Sequence, residues 1–380
     1  MSLVQSRDFP AATKSTYLNS ASVALMYHGA EQAAVSWQQD IAEFGTLNFD
    51  EAAEDRVFDQ LHDAFAGLIG ARAEDIAVAS SATELIASLA WALVPATNKN
   101  FIAVDATFPS TAYPWWRVAQ HAQCEMRWIR ARDMYAEEAD ILRAIDKNTA
   151  VVALSHIEYG SGQRYDLAKI AEAAHAHGAL LVVDATQSAG AVPIDVRQEP
   201  VDALIAGSYK WLCGPFGVGV MYVAPHLQNE LAPGLVGWRS HKEIYDLRAD
   251  RLDYPSGARR FEFSTMAYGS ALGLTESVRY LHGLGIEHVR LHNLDLAGHL
   301  AESLRSFGAQ LLWPKAERER TSIVSARFPG ADSKAVVRRL GEAGIIVSPR
   351  RDFVRFSFHL YNSRDDVMRV NECLRTFLKA

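Results

Sequence analysis

Cysteine, basic charge and long apolar runs are all scarce in this chain, and each shortage removes a class of function. Three cysteines in 380 residues, Cys124, Cys213 and Cys373, are too few and too scattered for a disulfide framework or a zinc site, which fits a reducing compartment. No stretch approaches the roughly 18 uninterrupted apolar residues of a membrane span. Met1–Pro10 carries charges and no apolar h-region, so it does not read as a secretory leader. Lys and Arg number 38 against 45 Asp and Glu, a formal net charge of −7, which offers no general footprint for nucleic acid. A G-x-G-x-x-G between a first strand and its helix is missing, as is a P-loop, so neither common nucleotide cradle is present. Repeats and low-complexity tracts are also lacking. The expectation is a cytoplasmic protein with no nucleic-acid partner and no membrane segment.

What the chain does have is a strong alternation of short apolar runs and helical patterns. Ile76–Ala79, Phe101–Val104, Val151–Leu154, Leu180–Val183, Ala203–Ala206 and Val218–Val223 read as strands, with Thr83–Leu93 and Asp166–His177 as helices between them. Short apolar strands separated by helices imply an α/β fold with a mainly parallel sheet covered on both faces. The pattern breaks around Asp250–Ser264. Beyond it, helices over Tyr268–Leu281, Ile286–Phe307, Ser333–Ala343 and Ser363–Phe377 and strands over Ser322–Phe328, Ile345–Ser348 and Val354–Ser357 read as a smaller α+β unit. The expected organisation is an N-terminal arm over 1–20, a large domain over 21–258 and a small C-terminal domain over 259–380.

Three features stand at strand ends. Leu181-Val182-Val183-Asp184 ends in a carboxylate, Ala206-Gly207-Ser208-Tyr209-Lys210 delivers an amine, and Ser80-Ser81-Ala82-Thr83 forms a strand-to-helix turn. Ligands of open α/β sheets lie outside the carboxyl ends of the strands, so all three belong to one rim. Pyridoxal 5′-phosphate (PLP) asks for this set. It needs a desolvated lysine for a Schiff base, a carboxylate to keep the pyridine nitrogen protonated, and N–H groups with hydroxyls for the phosphate. Singly, an Asp or a Lys at a strand end is an ordinary rim residue; the joint pattern makes the assignment.

The run Val182–Ser188, then Gly207-Ser208-Tyr209-Lys210-Trp211, then Gly214-Pro215-Phe216-Gly217-Val218-Gly219, resembles the class V aminotransferases of PLP fold type I. That group includes cysteine desulfurases, isopenicillin N epimerase, cysteine/cystine lyases and kynureninase, and the resemblance runs from Tyr17 to Asn362. It implies a seven-stranded, mostly parallel sheet in the large domain. It also implies roles: Lys210 as cofactor lysine and proton carrier, Asp184 for the ring nitrogen, and Gln187 for the phenolic oxygen. Ser81, Ala82, Thr83, Ser208 and Tyr209 would bind the phosphate, and Phe108 would stack on the ring. Arg355, in the apolar run Val354–Phe358, would grip the substrate carboxylate, with Asn19, Ser20 and Tyr159 near the substrate. Thr265, in Glu262-Phe263-Ser264-Thr265, would reach a neighbouring subunit's phosphate site, which implies a homodimer with shared active sites.

The resemblance fixes the family better than the reaction. Ile345–Arg355 contains no cysteine where desulfurases carry their sulfur acceptor, and Tyr159 stands where they place an asparagine. The expected activity is PLP-dependent amino-group transfer on a free amino acid, with β-elimination second and epimerisation third. A non-catalytic binding module on the same fold is the alternative outside enzymes. Trp115, Trp116, Trp238 and Arg239 fit a substrate channel or packing equally well.

Overall fold

The computed structural model describes residues 2–377. Seven strands form the main sheet: β1 (Ile76–Ala79), β2 (Asn100–Val104), β3 (Glu125–Ile129), β4 (Thr149–Ser155), β5 (Leu180–Asp184), β6 (Ala203–Gly207) and β7 (Gly219–Val223). Their spatial order is β1-β7-β6-β5-β4-β2-β3, parallel from β6 through β3, with β7 antiparallel to both β1 and β6. Every residue of β1, β2, β6 and β7 is buried, as expected where both faces of a sheet are covered. β3 is missing from the sequence expectation for a physical reason. It is one of the two edge strands, and Glu125, Arg127 and Trp128 leave it without a buried apolar run.

Flanking helices include α1 (His28–Phe44), α2 (Asp59–Ile69), α3 (Ala82–Ala92), α4 (Pro109–Ala122) and α5 (Leu167–Ala176). Two later helices follow the sheet, α6 (Tyr268–Leu284) and α7 (Ile286–Ser306). α6 packs against α1 and α2, and its Ala271, Leu274, Val278 and Leu281 join the large core. α6 thus serves the large core, while the second core gathers Leu18 with residues from Leu296 onward.

That smaller unit holds β8 (Gln310–Leu311), β9 (Ile323–Arg327), α8 (Ser333–Glu342), β10 (Ser348–Arg350), β11 (Phe353–Ser357) and α9 (Arg364–Phe377). The four strands are ordered β10-β11-β9-β8. The single strand expected over Ile345–Ser348 is divided. Ile345–Ile346 pairs in parallel with Thr16–Tyr17, whereas Ser348–Arg350 turns back on β11. Leu18 is buried in the small core, so the N-terminal arm is stitched to the tail of the chain. Within β11, Val354 and Phe356 enter that core, and the two-residue alternation of a strand turns Arg355 to the opposite side.

Candidate active site

The carboxyl ends of β5 and β6 and the start of α3 meet around a cavity of about 160 Å³. Asp184, Gln187, Tyr209, Lys210, Phe108, Tyr159 and the Ser81–Thr83 turn all line it. Asp184 is the last residue of β5, and its carboxylate is fixed from two directions. Oδ2 accepts from Thr111 Oγ1 at 2.7 Å and Oδ1 from the Thr186 amide at 2.9 Å. Lys210 lies in the turn after β6, only 7% exposed. Burial brings its ammonium down to about 8, with Asp184 opposing the shift and Arg355 and Arg350 adding to it. Its Nζ stands 5.1 Å from the centre of the Phe108 ring and 5.8 Å from that of Tyr209.

The start of α3 is built as an anion cradle. Ser81 caps the helix by accepting from the Glu84 amide at 3.2 Å. Among the described residues no protein acceptor meets the Ala82 and Thr83 amides. Glycine is required beside them: a Cβ on Gly219 would lie 2.6 Å from the Ala82 nitrogen. Such a helix start, with a close-packed glycine, suits a phosphate group; the Thr83 hydroxyl beside it donates to Ser110 Oγ at 2.9 Å. Gln187 accepts from Trp211 Nε1 at 2.7 Å and donates to the Ala21 carbonyl at 3.0 Å, leaving one amide hydrogen for a ligand oxygen. These residues therefore fit PLP on the chemistry of their free groups.

At the rim, the side chain of Arg355 is wholly buried. Nη1 donates to the Tyr159 carbonyl at 2.7 Å and Nη2 to Ser22 Oγ at 2.5 Å, while Nε has no partner. Burial, with Arg350 adding, brings this guanidinium down to about 9.

Five expected residues do not line the cavity: Arg355, which sits behind Tyr159, and four others. Ser208 is fully buried and its hydroxyl donates to the Pro215 carbonyl. Ser20 is bonded to the Tyr361 hydroxyl at 2.7 Å. Asn19 forms a backbone bridge to Ser357 and buries Oδ1 without a partner. Thr265 accepts from Trp238 Nε1 at 3.0 Å, away from this chain's own cleft. In each case neighbouring a motif in the chain does not set the direction of the side chain. Trp115 is a core residue with no exposure, so it does not line a channel.

The structure adds residues the sequence did not signal. Thr111 reaches Asp184 from the first turn of α4, and behind it Ser155 links to Thr107 at 2.8 Å. Thr107 in turn meets Glu158, whose burial raises its carboxyl to about 8. Phe216, stacked on Tyr209 with ring centres 4.3 Å apart, completes the wall. No short-range pattern links these positions.

Comparison with known proteins agrees with the geometry. The family model described as "Aminotransferase class-V" matches residues 46–370. An uncharacterized aminotransferase of Bacillus subtilis is 28% identical over 359 residues, covering 94% of this chain and 93% of that protein. The kynureninase of Deinococcus radiodurans is 30% identical over 351 residues, covering 90% and 83%. A solved structure of C-DES, with glycine covalently linked to its PLP cofactor, superposes with a TM-score of 0.89. It is 22% identical, with 98% of this chain and 99% of that one covered, so it speaks for the fold. Seven-stranded sheet, cofactor-shaped cleft and family match lead to one assignment: the chain belongs to the class V aminotransferases, a family of PLP-dependent enzymes.

Proposed function

We propose that the chain acts at Cα of a free amino acid, and that its reaction is amino-group transfer. The observation that carries this reading is Lys210: one amine, depressed to about 8, in a desolvated cleft shared with a fixed carboxylate at Asp184. Bound PLP supplies an aldehyde and an electron-accepting ring. Asp184 would meet the ring nitrogen, and Thr111 and Thr186 keep its carboxylate oriented. The Ala82 and Thr83 amides, with the hydroxyls of Ser81 and Tyr209, would hold the phosphate, and the Thr83 hydroxyl would join them on exchanging Ser110 for it. Phe108, in the cavity wall, would pack against the ring. Lys210, partly neutral near pH 7, takes a proton from substrate Cα and returns one. Arg355 receives the α-carboxylate, and the Tyr159 carbonyl keeps its guanidinium in place.

Among the described residues no cysteine lines the cleft. Cys213 is buried against His359 at 3.2 Å, and burial pushes its thiol up, which favours chemistry that bypasses a protein thiol. The proposal includes a cytoplasmic homodimer in which Thr265 serves the partner subunit's site. Its position outside its own cleft, beside the part-exposed Trp238, supports that arrangement.

The test is stoichiometry. Amino-group transfer releases one equivalent of 2-oxo acid per active site and then stops until a second 2-oxo acid is supplied. Continuous release of a 2-oxo acid with ammonia and no acceptor contradicts it and establishes elimination. Racemised amino acid with no 2-oxo acid establishes epimerisation.

A further inference from the structure

The rim of the cleft holds more positive charge than one α-carboxylate can neutralise. Arg355 and Arg350 converge on a single hydroxyl, with Arg355 Nη2 at 2.5 Å and Arg350 Nη2 at 2.9 Å from Ser22 Oγ. Their remaining protein partners are neutral. Arg355 holds the Tyr159 carbonyl, and Arg350 Nη1 donates to Ser348 Oγ at 2.6 Å and the Pro349 carbonyl at 2.7 Å. Among the described residues no carboxylate lies within 4.0 Å of either guanidinium. The nearby small-sheet arginine, Arg327, differs sharply, because it takes Asp352 at 2.6 Å and Asp133 at 3.4 Å.

Two guanidinium groups sharing one neutral acceptor repel each other, and a half-buried cation is costly unless an anion meets it. Arg350 also stands beside a wall residue of the cleft, although neither arginine lines the cavity itself. The Arg350 guanidinium carbon stands 6.0 Å from the centre of the Tyr159 ring, and Tyr159 lines the cavity. Burial lowers its pKa from the ordinary arginine value, as in an arginine that lacks its counter-ion. A substrate α-carboxylate supplies one negative charge to this pair, and the second cation remains open. Planar, forked donors of this kind suit a second carboxylate-like group.

We propose that the substrate is an amino acid with an acidic side chain, its α-carboxylate on Arg355 and its second anionic group on Arg350. This rests on the reading of the cleft as an amino-acid site and names the class of amino acid it takes. Arg350 is then the residue that sets side-chain preference, and Ser22 is the spacer that holds both arginines apart from any competing carboxylate.

The test is calorimetric titration of the PLP-loaded enzyme with carboxylates that lack an amino group, so that no turnover occurs. Succinate and glutarate are expected to bind about 10- to 100-fold more tightly than propionate and butyrate, the range for one charge-assisted contact. Arg350→Gln should erase that margin and leave monocarboxylate affinity within about 3-fold of the unaltered enzyme. Equal affinity for both classes in the unaltered enzyme overturns the proposal without needing any variant. If that equal binding is lost in Arg355→Gln, the amino-acid site stands and only the second anion is refuted. If binding is indifferent to both arginines, the amino-acid site itself is refuted.

Discussion

Two buried cations flank this cleft, Lys210 in its wall and Arg355 behind Tyr159, and their charges are met by opposite means. Lys210, on the large-domain side, has the Asp184 carboxylate fixed close enough to oppose its desolvation. Arg355, on the small-domain side, has only a carbonyl and a hydroxyl, with a second arginine beside it. The large-domain half is electrostatically complete before substrate arrives, whereas the small-domain half is complete only when an anion enters. Buried charges are expected to be paired, so the half left unpaired is where substrate is recognised.

The largest effect falls on the complete half. Lys210→Ala should lower kcat/KM by about 10⁴-fold, the upper end of what a positioned proton carrier contributes, with little change in substrate affinity. Steady-state kinetics beside a binding titration would check the split.

The next effect separates activity from stability. Arg355→Met should cut kcat/KM by about 10²- to 10³-fold, since removing one partner of a buried charge pair costs about 2–5 kcal/mol. The substrate-free protein should nevertheless melt at the same temperature or higher, because an uncompensated buried charge is gone. Asp184→Ala should do the reverse on stability. It strands the Thr111 hydroxyl and the Thr186 amide, at a cost of about 1–3 kcal/mol, and the melting temperature falls. Two variants shifting the melting temperature in the same direction would break the comparison.

A smaller effect is read in pH. Glu158 ends the hydroxyl series Thr107, Ser155, Thr111 behind Asp184, and burial raises its carboxyl from 4.5 to about 8. The folded state therefore binds a proton that the unfolded chain has already released above pH 4.5. Its stabilising contribution is complete below about pH 4.5 and is lost as pH rises through about 8, at no more than ~1.4 kcal/mol per pH unit. Urea unfolding across that window should show Glu158→Gln with a flatter profile than the unaltered protein. The smallest effect belongs to Ser22→Ala, which removes the acceptor shared by Arg355 and Arg350. It should change KM by about 2- to 10-fold, the worth of one hydrogen bond, and leave kcat nearly untouched.

The legibility of the sequence follows the same division. Asp184, Lys210 and the Ser81–Thr83 turn are readable because each sits at the end of an apolar run, and strand ends of a parallel sheet share one rim. Arg355 is readable because an arginine between Val354 and Phe356 contradicts its surroundings. Thr111, 73 residues from Asp184, and Ser22, more than 320 residues from Arg350 and Arg355, carry no such contradiction, because a threonine in a first helical turn or a serine in a loop is ordinary. Ser208 and Ser20 show the converse: they sit beside the right residues in the chain, but Pro215 and Tyr361 take their hydroxyls. Chain order conveys which backbone passes the site. Only packing decides which side chains enter it.

The most direct measurement is borohydride reduction of the PLP-loaded protein followed by digestion and mass mapping. The cofactor should be found covalently attached to the peptide that carries Lys210, with the visible absorbance band bleached in step. Attachment at another lysine, or no covalent attachment at all, contradicts the central claim.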